Sequence, residues 1–435
     1  MKKEKIVYVG MSADIFHHGH INIISEARKY GKVYIGLLND KVVSNYKRIP
    51  YLDWNNRKKI LQNIKGVTKV FEQKQWDYAP TILHLKPDIM VHGTDWLEGP
   101  LAPYRNKAIK ALKTYGGKLI EINYTKDVSS TSISNVNKSI GITPDMRKGM
   151  LKRLIQLKDI VRIVETHNPL SALIIENLEI IKNARKKTFD GFWSSSLTDS
   201  TSQGKPDIEA LEINNRLNNI NNIFDVTTKP LIMDADTGGK IEHFELNVKS
   251  IERLGVSAVI IEDKKGLKKN SLLGSNAKQE QENIEYFCSK IRAGRQARVS
   301  NNFLIIARIE SFILGKKLSD ALKRARAYIH SGVDGIMIHS KENTPLQIFN
   351  FSRKFRKEFP NIPLICVPST YNKVTEQELI KNGFNVVIYA NHMLRAAYPA
   401  MYETAKSILK NGRSFEIDKK LIKIKDILNL IPGTN

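Results

Sequence analysis

The sequence predicts an α/β protein with two domains, and three observations carry that prediction. Its 435 residues exceed one ordinary domain, since domains mostly hold about 100–200 residues. Apolar strand-like runs alternate with helix-like segments, which is typical of parallel sheets covered by helices. The alternation stops once, in a stretch containing Ser, Asn, Gly and Pro at 129–153, and then restarts. We therefore assign 1–137 to a Rossmann-like α/β domain, 138–152 to a linker and 153–435 to a (β/α)8 barrel.

The first domain contains four strand-like runs separated by helical segments. The runs are KIVYVG, KVYIGLL, KPDIMVHG and KLIEINY. Helices are expected from His20 to Lys29 and from Asn55 to Asn63. This order predicts a parallel sheet wrapped by helices.

The second domain contains eight strand-like runs, mostly separated by helix-length segments. Most of them end in polar or charged residues, and active sites of (β/α)8 barrels lie at the carboxyl ends of the strands. The runs are ALIIEN (172–177), FDGFWSS (189–195), PLIMDAD (230–236), SAVIIED (257–263), FLIIARIES (303–311), DGIMIHS (334–340), PLICVPS (363–369) and FNVVIYAN (384–391).

Composition restricts the classes of partner and compartment. The net charge is +25, but the basic residues form no long tail and no zinc-finger, RRM or KH signature is present, so nucleic acid is not expected as a partner. No segment reaches the roughly 18 apolar residues of a membrane span, so no membrane partner is expected. Cys288 and Cys366 have no metal-type spacing and imply no disulfide framework, which favours a reducing cytoplasm.

Three acids follow two neighbouring strands of the predicted barrel. Asp234 and Asp236 stand two residues apart at a strand end, so both side chains are expected on the same side, and Glu262 ends the next strand. Such carboxylates repel one another unless a cation lies among them, and oxygen ligands favour Mg²⁺. The alternative is that acids at strand ends cap helices or face solvent.

The loop after Glu262 reads KKGLKKNS and is rich in ammonium, amide and hydroxyl groups. These groups can donate to a phosphate on a metal-bound substrate. A solvated basic loop is the alternative for this stretch alone.

Five motifs in order resemble the phosphoenolpyruvate mutase branch of the isocitrate lyase superfamily. They are FWSSSLTDSTSQGKPD, MDADTGG, EDKKGLKKNS, ARIES and MIHSK, and the resemblance covers Leu151 to Phe415. Glu262, Lys268, Asn270 and Ser271 fall on the signature of the mutase branch, and the catalytic Cys of isocitrate lyases is missing from this loop. Phosphonopyruvate hydrolases, the nearest rival, tend to differ at the Asn position.

The resemblance implies movement of a phosphoryl group between the enol oxygen and the methylene carbon, which interconverts phosphoenolpyruvate and phosphonopyruvate. It implies Mg²⁺ on Asp234, Asp236 and Glu262, and phosphoryl binding by Arg308 and His339. It assigns substrate binding to Trp193, Ser195 and Leu197, a nucleophilic or orienting role to Asp207, and a gating loop to Lys268, Asn270 and Ser271. Such a gate would exclude water, which separates a mutase from a hydrolase.

The first domain carries GMSADIFHHGHINII, in which His17 and His20 form H-x-G-H between a strand and a helix start. A helix N-terminus offers free N–H groups and partial positive charge to phosphates, and Gly19 permits close approach of a ligand. Histidines that only cap the helix are the alternative.

Residues from about Lys5 to Ile133 resemble cytidylyltransferases of the glycerol-3-phosphate and phosphoethanolamine type, through the histidine motif, NNR (55–57), HGTDW (92–96) and SSTSI (129–133). The resemblance implies that His17 and His20 stabilise the CTP triphosphate, helped by Lys41 or Lys47. It places six further residues at the nucleotide site: Asp14, Arg57, Asp95, Trp96, Ser130 and Thr131. The family's Arg before the last motif is missing, and Lys126 is a candidate replacement.

The two resemblances together imply a bifunctional enzyme of phosphonate synthesis. The expected substrates are phosphoenolpyruvate or phosphonopyruvate at the barrel, and CTP with a phosphonate acceptor, 2-aminoethylphosphonate, at the first domain. A homo-oligomer, dimer or tetramer, is expected through the barrel. The alternatives are a phosphonopyruvate hydrolase or related lyase joined to a cytidylyltransferase with another acceptor, and a basic protein that binds nucleic acid or anions.

Overall fold

The computed structural model describes residues 4–46, 49–98, 101–123, 142–182, 185–266, 268 and 279–431. Five predicted site residues, Lys47, Ser130, Thr131, Asn270 and Ser271, lie outside these ranges, as does Lys126. None of the described helices is long and apolar enough to cross a membrane.

The first domain is a parallel five-stranded sheet in the order β3-β2-β1-β4-β5. Its strands are β1 (Ile6–Met11), β2 (Lys32–Leu38), β3 (Val67–Gln73), β4 (Ile89–Gly93) and β5 (Lys118–Ile122). Its described helices are α1 (His18–Arg28), α2 (Asp40–Tyr46), α3 (Trp54–Gln62), α4 (Ala79–Leu85) and α5 (Ala102–Lys113), with a 3-10 turn at Thr94–Trp96. The four predicted strands are confirmed, and β3 is an edge strand that the sequence analysis missed.

The second domain contains, among the described residues, eight parallel strands that close into a barrel in the order β10-β11-β14-β15-β16-β17-β6-β9. They are β6 (Val161–Glu165), β9 (Gly191–Ser194), β10 (Leu231–Asp234), β11 (Ala258–Glu262), β14 (Leu304–Ile309), β15 (Gly335–Ile338), β16 (Leu364–Cys366) and β17 (Val386–Tyr389). Two antiparallel pairs lie outside the barrel: β7 (Glu179–Lys182) with β8 (Arg185–Thr188), and β12 (Lys264–Lys265) with β13 (Glu280–Gln281).

The described helices of the second domain lie between these strands and after the last one. They are α6 (Pro144–Leu157), α7 (Pro169–Asn177), α8 (Ser196–Ser202), α9 (Ile213–Asp225), α10 (Ile241–Leu254), α11 (Ile284–Ala297), α12 (Leu318–His330), α13 (Leu346–Glu358), α14 (Glu376–Lys381), α15 (His392–Asn411), α16 (Phe415–Asp418) and α17 (Ile424–Leu430). A large apolar cluster fills the layer between strands and helices, and a second one fills the barrel interior.

The strand predicted at 172–177 is wrong, because this segment lies in helix α7. Asn168 caps α7 by accepting a hydrogen bond from the Ser171 N–H at 2.8 Å, and Pro169 occupies the first helical turn. Ala172 and Ile175 are buried one helical turn apart, whereas Ile174 is 43% exposed. The first barrel strand is instead β6, eleven residues before the start of the predicted run at 172 (172 − 161 = 11).

Helix α6 closes the amino end of the barrel. It begins within the predicted linker, and its Leu151 and Leu154 are buried in the interior cluster. Arg147 is buried and donates to the carbonyl oxygens of Phe224 and Thr227, just before β10. The Ser257 hydroxyl, just before β11, donates to the Arg147 carbonyl at 2.8 Å. Because α6 covers the amino end, an active site is expected at the opposite end, where the strands have their carboxyl termini.

Candidate active sites

A pocket of about 510 Å³, including the part open to solvent, lies at the carboxyl ends of the barrel strands. Eight predicted site residues line it: Trp193, Ser195, Leu197, Asp207, Asp234, Lys268, Arg308 and His339. Six further lining residues were not predicted: Ser196, Met337, Val367, Ser369, Ala390 and Asn391. Asp236 and Glu262 are buried beside the pocket but do not line it.

The Lys268 ammonium group is buried among three carboxylates of this pocket region. It lies 3.2 Å from Asp207, 3.8 Å from Asp234 and in close contact with Asp236 and the Ser196 hydroxyl. Burial alone lowers the pKa of Lys268, but the carboxylates outweigh it and raise the pKa above its usual value. Lys268 is therefore a permanent cation at neutral pH.

Asp234 and Asp236 converge on Lys268, but the predicted reason is wrong. Strand β10 ends at Asp234, and Asp236 follows it in a left-handed conformation with φ of 55°, so strand pleating does not place both side chains together. Burial raises the pKa of Asp234, whereas Lys268, Arg308 and Arg216 lower it, and the net shift is downward. Asp234 is therefore ionised at neutral pH.

Glu262 is fully buried, and neither carboxylate oxygen has a hydrogen-bond donor in the described part of the chain. Arg308 lies 3.3 Å away and Lys264 3.5 Å away. Burial raises the pKa of Glu262 to about 7, although both cations oppose the shift. Two buried acceptor atoms without donors are what a hard cation would satisfy.

Glu310 pairs with two of the same cations and was not assigned a role by the sequence analysis. It accepts from Arg308 Nε at 2.6 Å and lies 3.1 Å from the Lys264 ammonium. Burial opposes ionisation of Glu310, but Arg308 and Lys264 lower its pKa overall. Glu310 thus orients Arg308 at the wall of the pocket.

His339 is buried next to this cationic group. Burial, reinforced by the charge of Arg308, lowers the pKa of His339 to about 3. Its Nδ1 has no hydrogen-bond partner among the described residues. The imidazole is therefore neutral at physiological pH and can offer a hydrogen bond, not a charge, to a bound anion.

Arg216 of α9 lies beneath the pocket and fixes the segment after β9. Its guanidinium donates to the Asp199 carboxylate at 3.0 Å, the Asp234 carbonyl at 2.5 Å and the Ser194 carbonyl at 3.2 Å. It also lies 3.5 Å from Asp236. No motif signalled Arg216, which stands in the polar helix sequence INNRLNN.

In the first domain, backbone N–H groups at the start of α1 hold both histidines of H-x-G-H. His17 caps the helix, and its Nδ1 accepts from the Gly19 N–H at 3.1 Å. The Nδ1 of His20 accepts from the His17 N–H at 3.3 Å. Burial, and then His18, lowers the pKa of His17. Since each Nδ1 accepts, a neutral ring carries its proton on Nε2, the form that can donate to a phosphate oxygen.

Asp14 and Arg57 stabilise the loop before these histidines. Asp14 Oδ1 accepts from the Tyr51 N–H at 2.6 Å. Arg57 is buried and donates to the Leu38 carbonyl at 3.0 Å, to Asp40, and to the Ser12 carbonyl. The buried guanidinium of Arg57 therefore fixes the backbone of the loop that precedes the two histidines.

Trp96 and Asp95 occupy different environments. The Trp96 ring is buried, stacks on His92 with centroids 3.8 Å apart, and donates to Glu121 at 2.7 Å. Asp95 is 45% exposed and lies 3.6 Å from His92. Lys41 is exposed and pairs with Asp159 of the barrel domain at 3.1 Å.

No three His, Cys, Asp or Glu side chains of the described ranges stand close enough to hold a metal ion as they are. Instead, the Lys268 ammonium lies among the carboxylates that were predicted to bind Mg²⁺. The donor types nevertheless suit such a cation, because the unsatisfied oxygens of Glu262 and the ionised Asp234 are hard ligands.

Comparison with known proteins agrees with this two-part arrangement. The family model for phosphoenolpyruvate phosphomutase matches residues 151–409, and the model described as cytidylyltransferase-like matches residues 8–136. The chain is 36% identical to a phosphoenolpyruvate phosphomutase of Tetrahymena pyriformis, over 64% of this chain and 89% of the relative.

Two solved structures extend the comparison. The phosphoenolpyruvate phosphomutase of Streptomyces platensis subsp. rosaceus is 34% identical, with a TM-score of 0.60 over 65% of this chain and 93% of its own. A phosphonopyruvate hydrolase in complex with oxalate and Mg²⁺ is 32% identical, with a TM-score of 0.57 over 65% of this chain and 94% of its own. Overall similarity therefore does not separate the two reactions.

Proposed function

Because the chain belongs to the phosphoenolpyruvate phosphomutase family and also carries a cytidylyltransferase-like domain, we propose that it performs two steps of phosphonate synthesis. The barrel interconverts phosphoenolpyruvate and phosphonopyruvate. The first domain transfers CMP from CTP to a phosphonate, 2-aminoethylphosphonate, and releases pyrophosphate. The observation that carries the proposal is the pocket that combines Lys268, Arg308 and neutral His339 with the carboxylates of Asp207 and Asp234.

The pocket matches the charge that the mutase reaction develops. The bond between phosphorus and the enol oxygen breaks, and a bond between phosphorus and the methylene carbon forms. Arg308 offers a guanidinium to the phosphoryl oxygens, and His339 can add a hydrogen bond. In this proposal Asp207, whose carboxylate lies 3.2 Å from the Lys268 ammonium, takes either an orienting or a nucleophilic role. Fixed cations of this kind stabilise anions without reorganisation.

We propose that Asp234, Asp236 and Glu262 hold a divalent metal, Mg²⁺, as their oxygen donors permit. The similar hydrolase structure contains Mg²⁺ with oxalate, a small dicarboxylate. Bound there, the metal would act as a Lewis acid on substrate oxygens. In this structure Lys268 neutralises Asp234 and Asp236.

Phosphorus NMR distinguishes mutase from hydrolase. The protein is incubated with phosphonopyruvate and Mg²⁺, and the phosphorus signal is followed. A mutase converts it to phosphoenolpyruvate, whereas a hydrolase releases inorganic phosphate and pyruvate. Appearance of phosphate alone would replace the proposed reaction with the hydrolase alternative.

The nucleotide reaction is tested by a matched pair of variants. The Nε2–H groups of His17 and His20 stabilise charge as pyrophosphate leaves, so His20→Ala should slow pyrophosphate release from CTP and 2-aminoethylphosphonate by about a hundredfold. The same variant should retain phosphoenolpyruvate formation, and Asp234→Asn should show the reverse pattern. Unchanged pyrophosphate release in His20→Ala would contradict the role of the histidines.

We also propose that the chain forms a homo-oligomer in the cytoplasm. Helix α15 is twenty residues long and none of them is fully buried, and it exposes Tyr398, Met401 and Leu409. Exposed apolar surface of this extent is typical of an interface. Cys288 and Cys366 are free, buried thiols, as a reducing compartment allows.

A further inference from the structure

Residues 49–53 of the first domain, which we name the bridging loop, contact both the histidine loop and the barrel. The histidine loop is residues 12–17, between β1 and α1. On the barrel side, the contact is helix α6, which closes the amino end of the barrel. The bridging loop therefore joins the nucleotide domain's candidate site to the other domain.

Three hydrogen bonds connect the histidine loop, the bridging loop and Arg57 of helix α3. The Tyr51 N–H donates to Asp14 at 2.6 Å, and Arg57 donates to the Ser12 carbonyl and, at 3.2 Å, to the Leu52 carbonyl. Between Ser12 and Asp14, Ala13 adopts a left-handed conformation with φ of 46°. Such a conformation persists only where surrounding contacts fix it.

Two contacts tie the bridging loop to α6. Arg153 donates to the Tyr51 carbonyl at 3.2 Å, so both backbone groups of Tyr51 are engaged, one by each domain. Ile49 packs against the apolar cluster that contains Leu151 and Leu154 of α6. The additional pair of Lys41 with Asp159 is more than half exposed at both side chains, and solvent screens it.

We infer that Arg153 is a positioning residue for the nucleotide reaction, through which the barrel domain fixes the loop that presents His17 and His20. The inference rests on the cytidylyltransferase activity proposed above. Arg153 acts through Tyr51 and Asp14 and needs no contact with CTP. Because catalytic geometry is sensitive to displacements near 1 Å, loss of this charged donor should reduce CMP transfer about tenfold.

The test compares two substitutions of Arg153 with two controls. Arg153→Ala removes the donor, and Arg153→Lys keeps one. Lys152→Ala removes the neighbouring side chain of α6, which contacts the Asn301 carbonyl of the barrel instead. Asp159→Asn breaks the exposed pair between the domains and is a control for phosphoenolpyruvate formation only, because its partner Lys41 is a candidate CTP-binding residue. Pyrophosphate release from CTP and phosphoenolpyruvate formation are measured on the full chain.

We expect Arg153→Ala to lower kcat for CMP transfer about tenfold with a smaller change in KM for CTP, and Arg153→Lys to restore most of it. Phosphoenolpyruvate formation should stay within about twofold in all four variants, since α6 remains folded. Unchanged CMP transfer in Arg153→Ala would overturn the inference. An equal fall of both reactions would also overturn it, because it would indicate a general loss of structure.

Hydrogen exchange gives a readout that does not require turnover. Amides of residues 12–20 should exchange faster in Arg153→Ala than in the unmodified protein, and Lys152→Ala should leave them unchanged. Equal exchange in all variants would contradict the positioning role. Absence of pyrophosphate release from the unmodified protein would instead refute the proposed cytidylyltransferase activity, and with it the kinetic role of Arg153, whatever the exchange shows.

Discussion

Asp234 is buried at the carboxyl end of β10, where it accepts a hydrogen bond from Ser196 at 3.2 Å and faces Lys268. Asp234→Asn keeps its size but removes its charge, so we predict that phosphoenolpyruvate formation falls by about a hundredfold or more. The melting temperature should fall, because the buried cations Lys268 and Arg308 lose a counter-charge, so turnover is compared at a temperature where both proteins are folded. Glu280→Gln is the control, because Glu280 is an exposed acid that pairs with Lys265 outside the pocket. Ordinary turnover in Asp234→Asn would show that the reaction does not need the charge of Asp234.

His339 gives a prediction about stability and pH. Its pKa of about 3 in the folded chain lies below the ordinary 6.5, so between these values the unfolded chain binds a proton that the folded chain does not. Proton binding by His339 therefore lowers the free energy of unfolding as the pH falls through this window. We predict that His339→Asn loses stability less steeply than the unmodified protein from pH 6.5 to 4, measured as melting temperature. Parallel pH profiles would contradict the assigned shift.

The sequence predicted the pocket residues that belong to contiguous motifs, such as Trp193 and Arg308, which lie near the ends of strands β9 and β14. It did not predict Arg216, because a single basic residue in a polar helix has no local pattern that marks its burial. Ser369 and Asn391 were missed because pocket walls at strand ends also take small, neutral residues. The roles of the predicted residues stay proposals that the variants above test.

At the scale of elements, two glycines that end helices give a matched comparison. Gly255 follows α10 with φ of 98°, and an added Cβ would lie 2.8 Å from Pro144 Cα at the start of α6. Gly412 follows α15 with φ of 63° and has no atom within 4 Å of that position. Gly412→Ala should cost about 1 kcal/mol through backbone strain alone.

Gly255→Ala should therefore lower the melting temperature more than Gly412→Ala does, because overpacking adds about 1–3 kcal/mol to the same backbone strain. Thermal unfolding of both variants measures the difference. Equal shifts would show that α6 moves away without cost, and would contradict close packing of its first turn against α10.

Pattern alone identified seven of the eight barrel strands and misassigned the first. The apolar part of this run, ALII, is too short for its period to separate a buried strand from a helix. The preceding Asn168 and Pro169 are the local signal for a helix start. Strand β6 was missed because Arg162 interrupts it, although the Arg162 side chain pairs with Glu376 at 2.9 Å. Edge strand β3 was missed since half-exposed strands need fewer apolar residues.

At the scale of the whole molecule, the exposed face of α15 predicts association. Leu409 is 88% exposed and Met401 61% exposed. We predict that light scattering gives a mass above the 49.5 kDa of one chain, and that Met401→Glu combined with Leu409→Glu reduces it to one chain. Leu346→Glu, an equally exposed site on α13, should leave the mass unchanged. A single-chain mass for the unmodified protein would contradict the proposed oligomer.

Because α6 closes the amino end of the barrel, it also determines where a product of the barrel pocket can leave. The first domain contacts the amino end of the barrel through Arg153, whereas the barrel pocket opens at the carboxyl end. A compound released from that pocket emerges on the side remote from the first domain, and the apolar interior of the barrel separates the two. A product of the barrel would therefore have to leave its pocket into solvent before it could reach the first domain of the same chain.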